Sequence, residues 1–224
     1  MTRWIQQVWI VFRKDVRQEY RNRLALNVLF LFTLSSLLLI AFSVRQLVLP
    51  ERMQAALLWI TLVFAAASGL GRAFLQEAER GTLTQLQLLV GADVVWTAKA
   101  MVNLVLLLLV EAIAVVAMHV WLGVVVLDVT QLMATLLLGA LGLSSAITML
   151  SALIAVAQQR SALLPILLFP LLVPLLFAVV DGTVSSLFDG DPGGVGARAV
   201  WTLVAYGGTM TTAAYLLIDH LWVD

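Results

Sequence analysis

The residues to weigh first are polar ones set in otherwise apolar runs. Glu111 is the one acid deep inside such a run, roughly 15 Å short of its Trp121 end at about 1.5 Å rise per residue. No Lys or Arg lies at a comparable depth. If the run crosses a membrane, such a carboxyl either bonds another helix or serves conduction or gating. Thr148, Tyr206 and Thr209 are its candidate hydrogen-bond partners, and Asn103, two helical turns before it, is expected to pack in the same way.

Other chemistry is sparse. His119 and His220 fall at opposite ends of the apolar spans, outside any HExxH or HxH pattern, so no metal site is expected and each is read as interfacial. With no cysteine in the chain, disulfides and thiolate metal sites are excluded. No GxxxxGK[ST] sequence is present to cradle nucleotide phosphates, so any ATP dependence must come from a partner. Neither a Ser/His/Asp set nor a pair of aspartates within one span stands out. Catalysis by this chain is therefore not expected, and nothing in it points to nucleic acid.

The elements that must position these residues are membrane helices. Of the residues, 62% are hydrophobic and only 12% charged, far from soluble usage. A span needs about 20 apolar residues, and the hydropathy predicts six, at about 24–44, 53–71, 96–121, 131–157, 162–180 and 199–218. The predicted fold is one all-α permease domain over residues 1–224. Trp96 with Trp121 and Trp201 with Trp222 bracket the third and sixth spans as an aromatic belt would. Gly139, Gly142, Ser144, Ser145 and Ala146 in the fourth span are a close-packing face. Pro170 and Pro174 in the fifth each remove a backbone donor and predict a kink. A short helix around Val184–Phe188 is expected in the acidic, Gly-rich loop that follows.

Residues 1–23 read as an amphipathic helix, not a cleaved leader. Trp4, Val8, Phe12, Val16 and Tyr20 recur every fourth position among basic and acidic residues, a pattern suited to lying in the membrane interface. All but Arg45, Arg52 and Arg198 of the 13 Lys and Arg fall on one side of the six-span scheme, which predicts that both termini are cytoplasmic.

The longest polar interruption between spans is Gly69–Val90. A helical pattern carrying Arg72, Gln76, Glu77, Glu79 and Arg80 stops at Gly81, and a second begins at Thr82 with Leu83, Leu86 and Leu89 on one face. Gly81 suits a position of positive φ just past a helix end, and Thr82 with Gln85 has the spacing of a capping box. Periodicity alone fits a capped interfacial loop equally well.

Within it, Gln76-Glu77-Ala78-Glu79-Arg80-Gly81-Thr82-Leu83, after a span ending Gly69-Leu70-Gly71-Arg72, resembles the cytoplasmic motif of ABC-2-type permeases. The order of features more closely resembles the cytochrome c maturation protein B (CcmB) family, the haem exporter protein B permeases. Phe12-Arg13-Lys14-Asp15 before the first span, Gly71-Arg72-Ala73-Phe74 through Gly81-Thr82-Leu83, the stretch from Lys99 to Glu111 and the proline-spaced fifth span carry the likeness, while Gln87 and Gly91-Ala92 depart from it.

The resemblance implies a permease subunit in a bacterial inner membrane, present in two copies. It implies a CcmA-like ATPase that carries ATP and Mg, CcmC-like and CcmD-like membrane subunits, and a periplasmic CcmE-like chaperone that carries haem. Glu77, Glu79, Arg80, Gly81, Thr82, Leu83 and Leu86, with Arg72, would form a cytoplasmic coupling helix contacting the ATPase, and the helix of Phe12, Arg13, Lys14 and Asp15 would move with it. The alternatives are an ABC-2 exporter of another amphiphile and a proton-coupled secondary transporter using Glu111.

Overall fold

The computed structural model describes residues 2–44, 49–71, 74, 77, 81, 86, 89–156, 163–187 and 194–221. The helices it describes in full are α1 (Thr2–Asn22), α2 (Leu24–Ser43), α3 (Glu51–Gly69), α4 (Ala92–Leu122), α5 (Val129–Val156), α6 (Leu163–Ser186) and α7 (Val195–Leu221). Five of these, α2 to α6, are long and apolar enough to cross a membrane. They coincide with the first five predicted spans. The sixth falls in α7, which is not among those five: it has the length, but Arg198, Gly207, Gly208, Thr209, Thr211 and Thr212 dilute its hydropathy.

α5 is the hub. It packs on α4, α6 and α7, while α3 bridges α6 to α2. The small residues predicted as a packing face act as one: a Cβ on Gly139 would collide with the indole of Trp59 on α3, and one on Gly142 would lie 2.8 Å from Leu175 on α6. Trp59 can reach in this far because its indole Nε1 donates to Thr183 Oγ1 at 2.9 Å, so the buried N–H is satisfied.

Two ends are defined by contacts. At one, Arg52 pairs with Asp181 at 2.9 Å, and Gln131 Nε2 donates to the Gly196 carbonyl at 3.2 Å. At the other, the hydroxyls of Thr97 and Tyr215 meet at 2.6 Å, and α1 lies along the start of α4. α7 therefore runs the length of the bundle, and its last turns share an end with α1.

Three features differ from the sequence reading. The short helix expected at Val184–Phe188 is no separate element: α6 continues to Ser186, whose carbonyl accepts the backbone N–H groups of Leu127 and Asp128 at 2.9 and 3.0 Å. This partner outside the helix satisfies an end carbonyl that would otherwise be orphaned. Trp96 is not in a lipid-facing belt but buried, edge-on to Tyr215 with ring centroids 5.1 Å apart. The first half of the apolar stripe of α1 is covered by protein, while Val16 and Tyr20 stay exposed: Val8, with the neighbouring Val11, packs on Val94 and Ala98 of α4, and Trp4 and Phe12 lie at the margin. Trp4 Nε1 donates to Asp93 Oδ2 at 2.6 Å, so α4, not the headgroup layer, receives the stripe from Trp4 to Phe12.

Candidate functional site

The site grows out of how α1 is anchored. Between α1 and α2 the chain turns at Arg23, whose φ of 50° lies in the left-handed region. The Glu19 carboxylate accepts the Leu26 N–H at 3.0 Å, capping the first turn of α2 with a negative charge where orphan donors and the helix dipole favour one. A tight, capped turn fixes the direction of α1, and its apolar contact with α4 brings Lys14 and Asp15 over Lys99.

There four charges meet. Lys14 Nζ donates to Glu77 Oε1 at 2.8 Å and lies 3.1 Å from Asp15 Oδ1. Lys99 Nζ donates to Asp15 Oδ2 at 3.2 Å and to the same Glu77 oxygen at 3.4 Å. Lys99 also sits 5.4 Å from the centre of the Phe74 ring, a cation–π contact. Phe74 is held in turn by its N–H, which donates to Ser151 Oγ on α5 at 3.1 Å. Glu77 and Lys99 are almost fully buried, so each needs its partners: an unpaired buried charge costs several kcal/mol, whereas this set is neutral overall. Burial alone would lower the pKa of Lys14, but the bond to Glu77 and the charges of Asp15 and Glu77 outweigh it and raise it above the ordinary lysine value. A cavity of about 60 Å³ opens beside the network, bounded by Asp15, Gly69, Glu77, Lys99 and Asn103.

Three parts of the molecule are thereby joined: α1, the segment between α3 and α4, and the base of α4. Of the sequence candidates, the structure brings Lys14, Asp15 and Glu77 together. Phe12 stacks on Trp9 with centroids 5.4 Å apart, and Arg13 is exposed on the outward side. Gly81 has the expected positive φ, 68°. Leu86 packs against the main core. Arg72, Glu79, Arg80, Thr82 and Leu83, and with them the capping box to Gln85, lie outside the described residues.

Lys99 is the participant that sequence reasoning did not single out as a site. A signal existed: Lys14 and Lys99 are the chain's only lysines, and Lys99 lies just past Trp96 at the start of an apolar run, where a charge needs a nearby partner.

Farther along α4, Asn103 behaves as expected and donates through Nδ2 to Thr148 Oγ1 at 2.9 Å. Glu111 does not. It is fully buried, and among the described residues neither carboxyl oxygen has a hydrogen-bond partner. Its three candidate partners are engaged elsewhere: Thr148 with Asn103, Tyr206 with the Leu171 carbonyl at 3.2 Å, and Thr209 with the Ala205 carbonyl of its own helix. Pro170 and Pro174 lie inside α6, and the carbonyl taken by Tyr206 belongs to the turn between them. His119 is exposed, and its Nδ1 lies 2.9 Å from the Val124 carbonyl beyond the end of α4. The His220 side chain lies outside the described residues.

A bundle with five span-length apolar helices, braced at one end by buried charges, is a multi-pass membrane protein. The chain belongs to the CcmB family, as the family description "CcmB protein" matches residues 6–217. That family places it among membrane ABC permeases of haem and cytochrome c biogenesis, within the Ccm haem exporter system. No curated protein matches the chain.

Proposed function

We propose that this chain is a non-catalytic permease subunit that converts nucleotide-driven motion of a separate ATPase into rearrangement of its helices, for delivery of haem to c-type cytochromes. The observation that carries this reading is the network of Lys14, Asp15, Glu77 and Lys99, because it ties the Gly69–Val90 segment to both α1 and a membrane helix. A push on that segment from outside the membrane has a stiff, charge-paired path into α4 and, through Phe74 and Ser151, into α5.

In this reading the segment is the coupling helix and α1 moves with it. The bundle spans an inner membrane six times, the network end is cytoplasmic, and both termini share that side. The positive-charge bias and the end-to-end run of α7 support that topology. ATP and Mg act on a CcmA-like partner. CcmC-like and CcmD-like subunits complete a complex holding two copies of this chain, and hydrolysis releases a haem-loaded CcmE-like chaperone. Haem enters as the cargo of the complex.

The test is charge reversal at Glu79 and Arg80, with membrane insertion checked by fractionation. Intact insertion with loss of c-type cytochrome supports the coupling role, and a normal yield contradicts it. A second reading, proton-coupled transport through Glu111, is favoured by the unpartnered buried carboxyl. It requires that Glu111→Gln abolish transport by the chain alone, without any ATPase.

A further inference from the structure

We propose that the outward face of α1 binds the headgroups of anionic phospholipids. This inference goes beyond ATPase coupling and does not rest on it. Arg13, Arg17 and Arg21 recur every fourth residue, so their guanidinium groups form a ladder on one helix face. All three are exposed, and among the described residues none has an acidic partner, in contrast to Lys14 and Asp15 on the inward flank. Like charges one turn apart destabilise a helix unless an anion neutralises them.

The ladder shares an open surface of α1 with Trp9 and Ile10, which stand at its N-terminal end. These side chains are 57% and 66% exposed, although the opposite face of the same helix is sealed on α4. That surface thus offers planar, forked phosphate donors at one end and apolar side chains at the other. That is the chemistry of a phospholipid at the boundary of the hydrocarbon, where basic residues and Trp anchor interfacial helices. The position agrees: α1 leads through Arg23 directly into α2, on which Phe30 and Leu31 are exposed within two turns. An acidic protein surface would use the arginines but gives no reason for Trp9 and Ile10 to stand bare beside them.

The experiment is native mass spectrometry of the full chain, purified in a neutral detergent and equilibrated with phosphatidylglycerol or phosphatidylcholine. The unmodified protein should retain phosphatidylglycerol in preference to phosphatidylcholine. Each arginine removed should weaken that retention on the order of fivefold, from about 1 kcal/mol per basic residue near a membrane surface. The triple variant Arg13→Gln, Arg17→Gln, Arg21→Gln should therefore lose the preference. The corresponding triple Lys variant, and Arg198→Gln at the opposite end of the bundle, should keep it.

Should the triple Gln variant lose helicity, Arg17→Gln alone and a salt titration of the unmodified protein decide. Raising salt from about 0.1 to about 1 M shortens the screening length from about 10 to about 3 Å and should release the lipid. Equal retention of the two lipids, retention unchanged in the Gln variants, or lipid that stays bound at high salt overturns the proposal. Gln variants that keep lipid but no longer co-purify with an ATPase likewise overturn it and assign the face to a protein.

Discussion

Two regions of one helix treat charge in opposite ways. At the base of α4, Lys99 is buried and shares two carboxylates with Lys14; twelve residues on, Glu111 is equally buried and has no partner among the described residues. Between them Asn103 is satisfied by a single neutral hydrogen bond to Thr148. Lys99, Asn103 and Glu111 fall on one stripe, because their spacings are multiples of four. The stripe grades from a full ion network through one bond to none. A charge at a helix end can be met by other elements, here α1 and the α3–α4 segment. A charge in the middle of a span meets only what the neighbouring helices present at that depth, and the hydroxyls of Thr148, Tyr206 and Thr209 already donate to backbone carbonyls.

The comparison can be broken most sharply at Lys99. Lys99→Met takes one cation from Asp15 and Glu77 and is expected to destabilise the α1 end by about 3 kcal/mol, the cost of breaking a buried pair on one side. Limited proteolysis should then cut α1 at its arginines far faster than in the unmodified chain; equal cleavage would show that the network does not hold α1. Asn103→Ala should cost about 1 kcal/mol in thermal unfolding, since Thr148 keeps its bond to the Ser144 carbonyl. Glu111→Met should be neutral or stabilising by up to about 1 kcal/mol, because no bond is lost and a buried unpaired carboxyl is removed. A drop in melting temperature on the scale of Lys99→Met would reveal a partner for Glu111.

Within the network the smallest effect is expected at Lys14, whose side chain is 43% exposed. Solvent screening holds its share below about 1 kcal/mol. The sign follows from its raised pKa: the contribution is present below the ordinary lysine value of 10.5 and lost as pH rises through the higher folded value. Proteolytic protection of α1 should therefore be flat across neutral pH and weaken only in strongly alkaline solution. In Lys14→Met that alkaline step should shrink; a step of unchanged size would assign it to another group.

The parts of this fold that were legible in the sequence were those set by local pattern. Hydropathy located α2 to α6, and the small residues of α5 marked its packing face. The positive φ of Gly81 followed from its place after a polar helical run. What was not legible depended on pairing across distance. The stripe of α1 from Trp4 to Tyr20 has the same periodicity whether it meets lipid or α4, and only the contacts show that its first half, through Val8, meets Val94 and Ala98 while Val16 and Tyr20 stay exposed. Trp96 could mark a membrane edge or fill a core, and Tyr215, 119 residues away, settles which. Glu111 was recognised as unusual, but hydrogen bonds among Thr148, Tyr206 and Thr209 could not be allocated before the register of α5 and α7 was known. In the site, Lys14, Asp15, Glu77 and Lys99 all stand in stretches that carry the family likeness, but that Lys99 pairs with the other three needed the geometry.

The central claim is that the network transmits motion from the Gly69–Val90 segment to the membrane helices. Its most direct test is a double-mutant cycle on Lys99→Met and Glu77→Gln, read as c-type cytochrome yield from the assembled complex, with insertion and expression verified in each strain. Coupled residues are non-additive. Each single variant should lower the yield strongly, and the double variant no further than the worse single. Normal yield in Lys99→Met, or losses that multiply in the double variant, would contradict transmission through this pair.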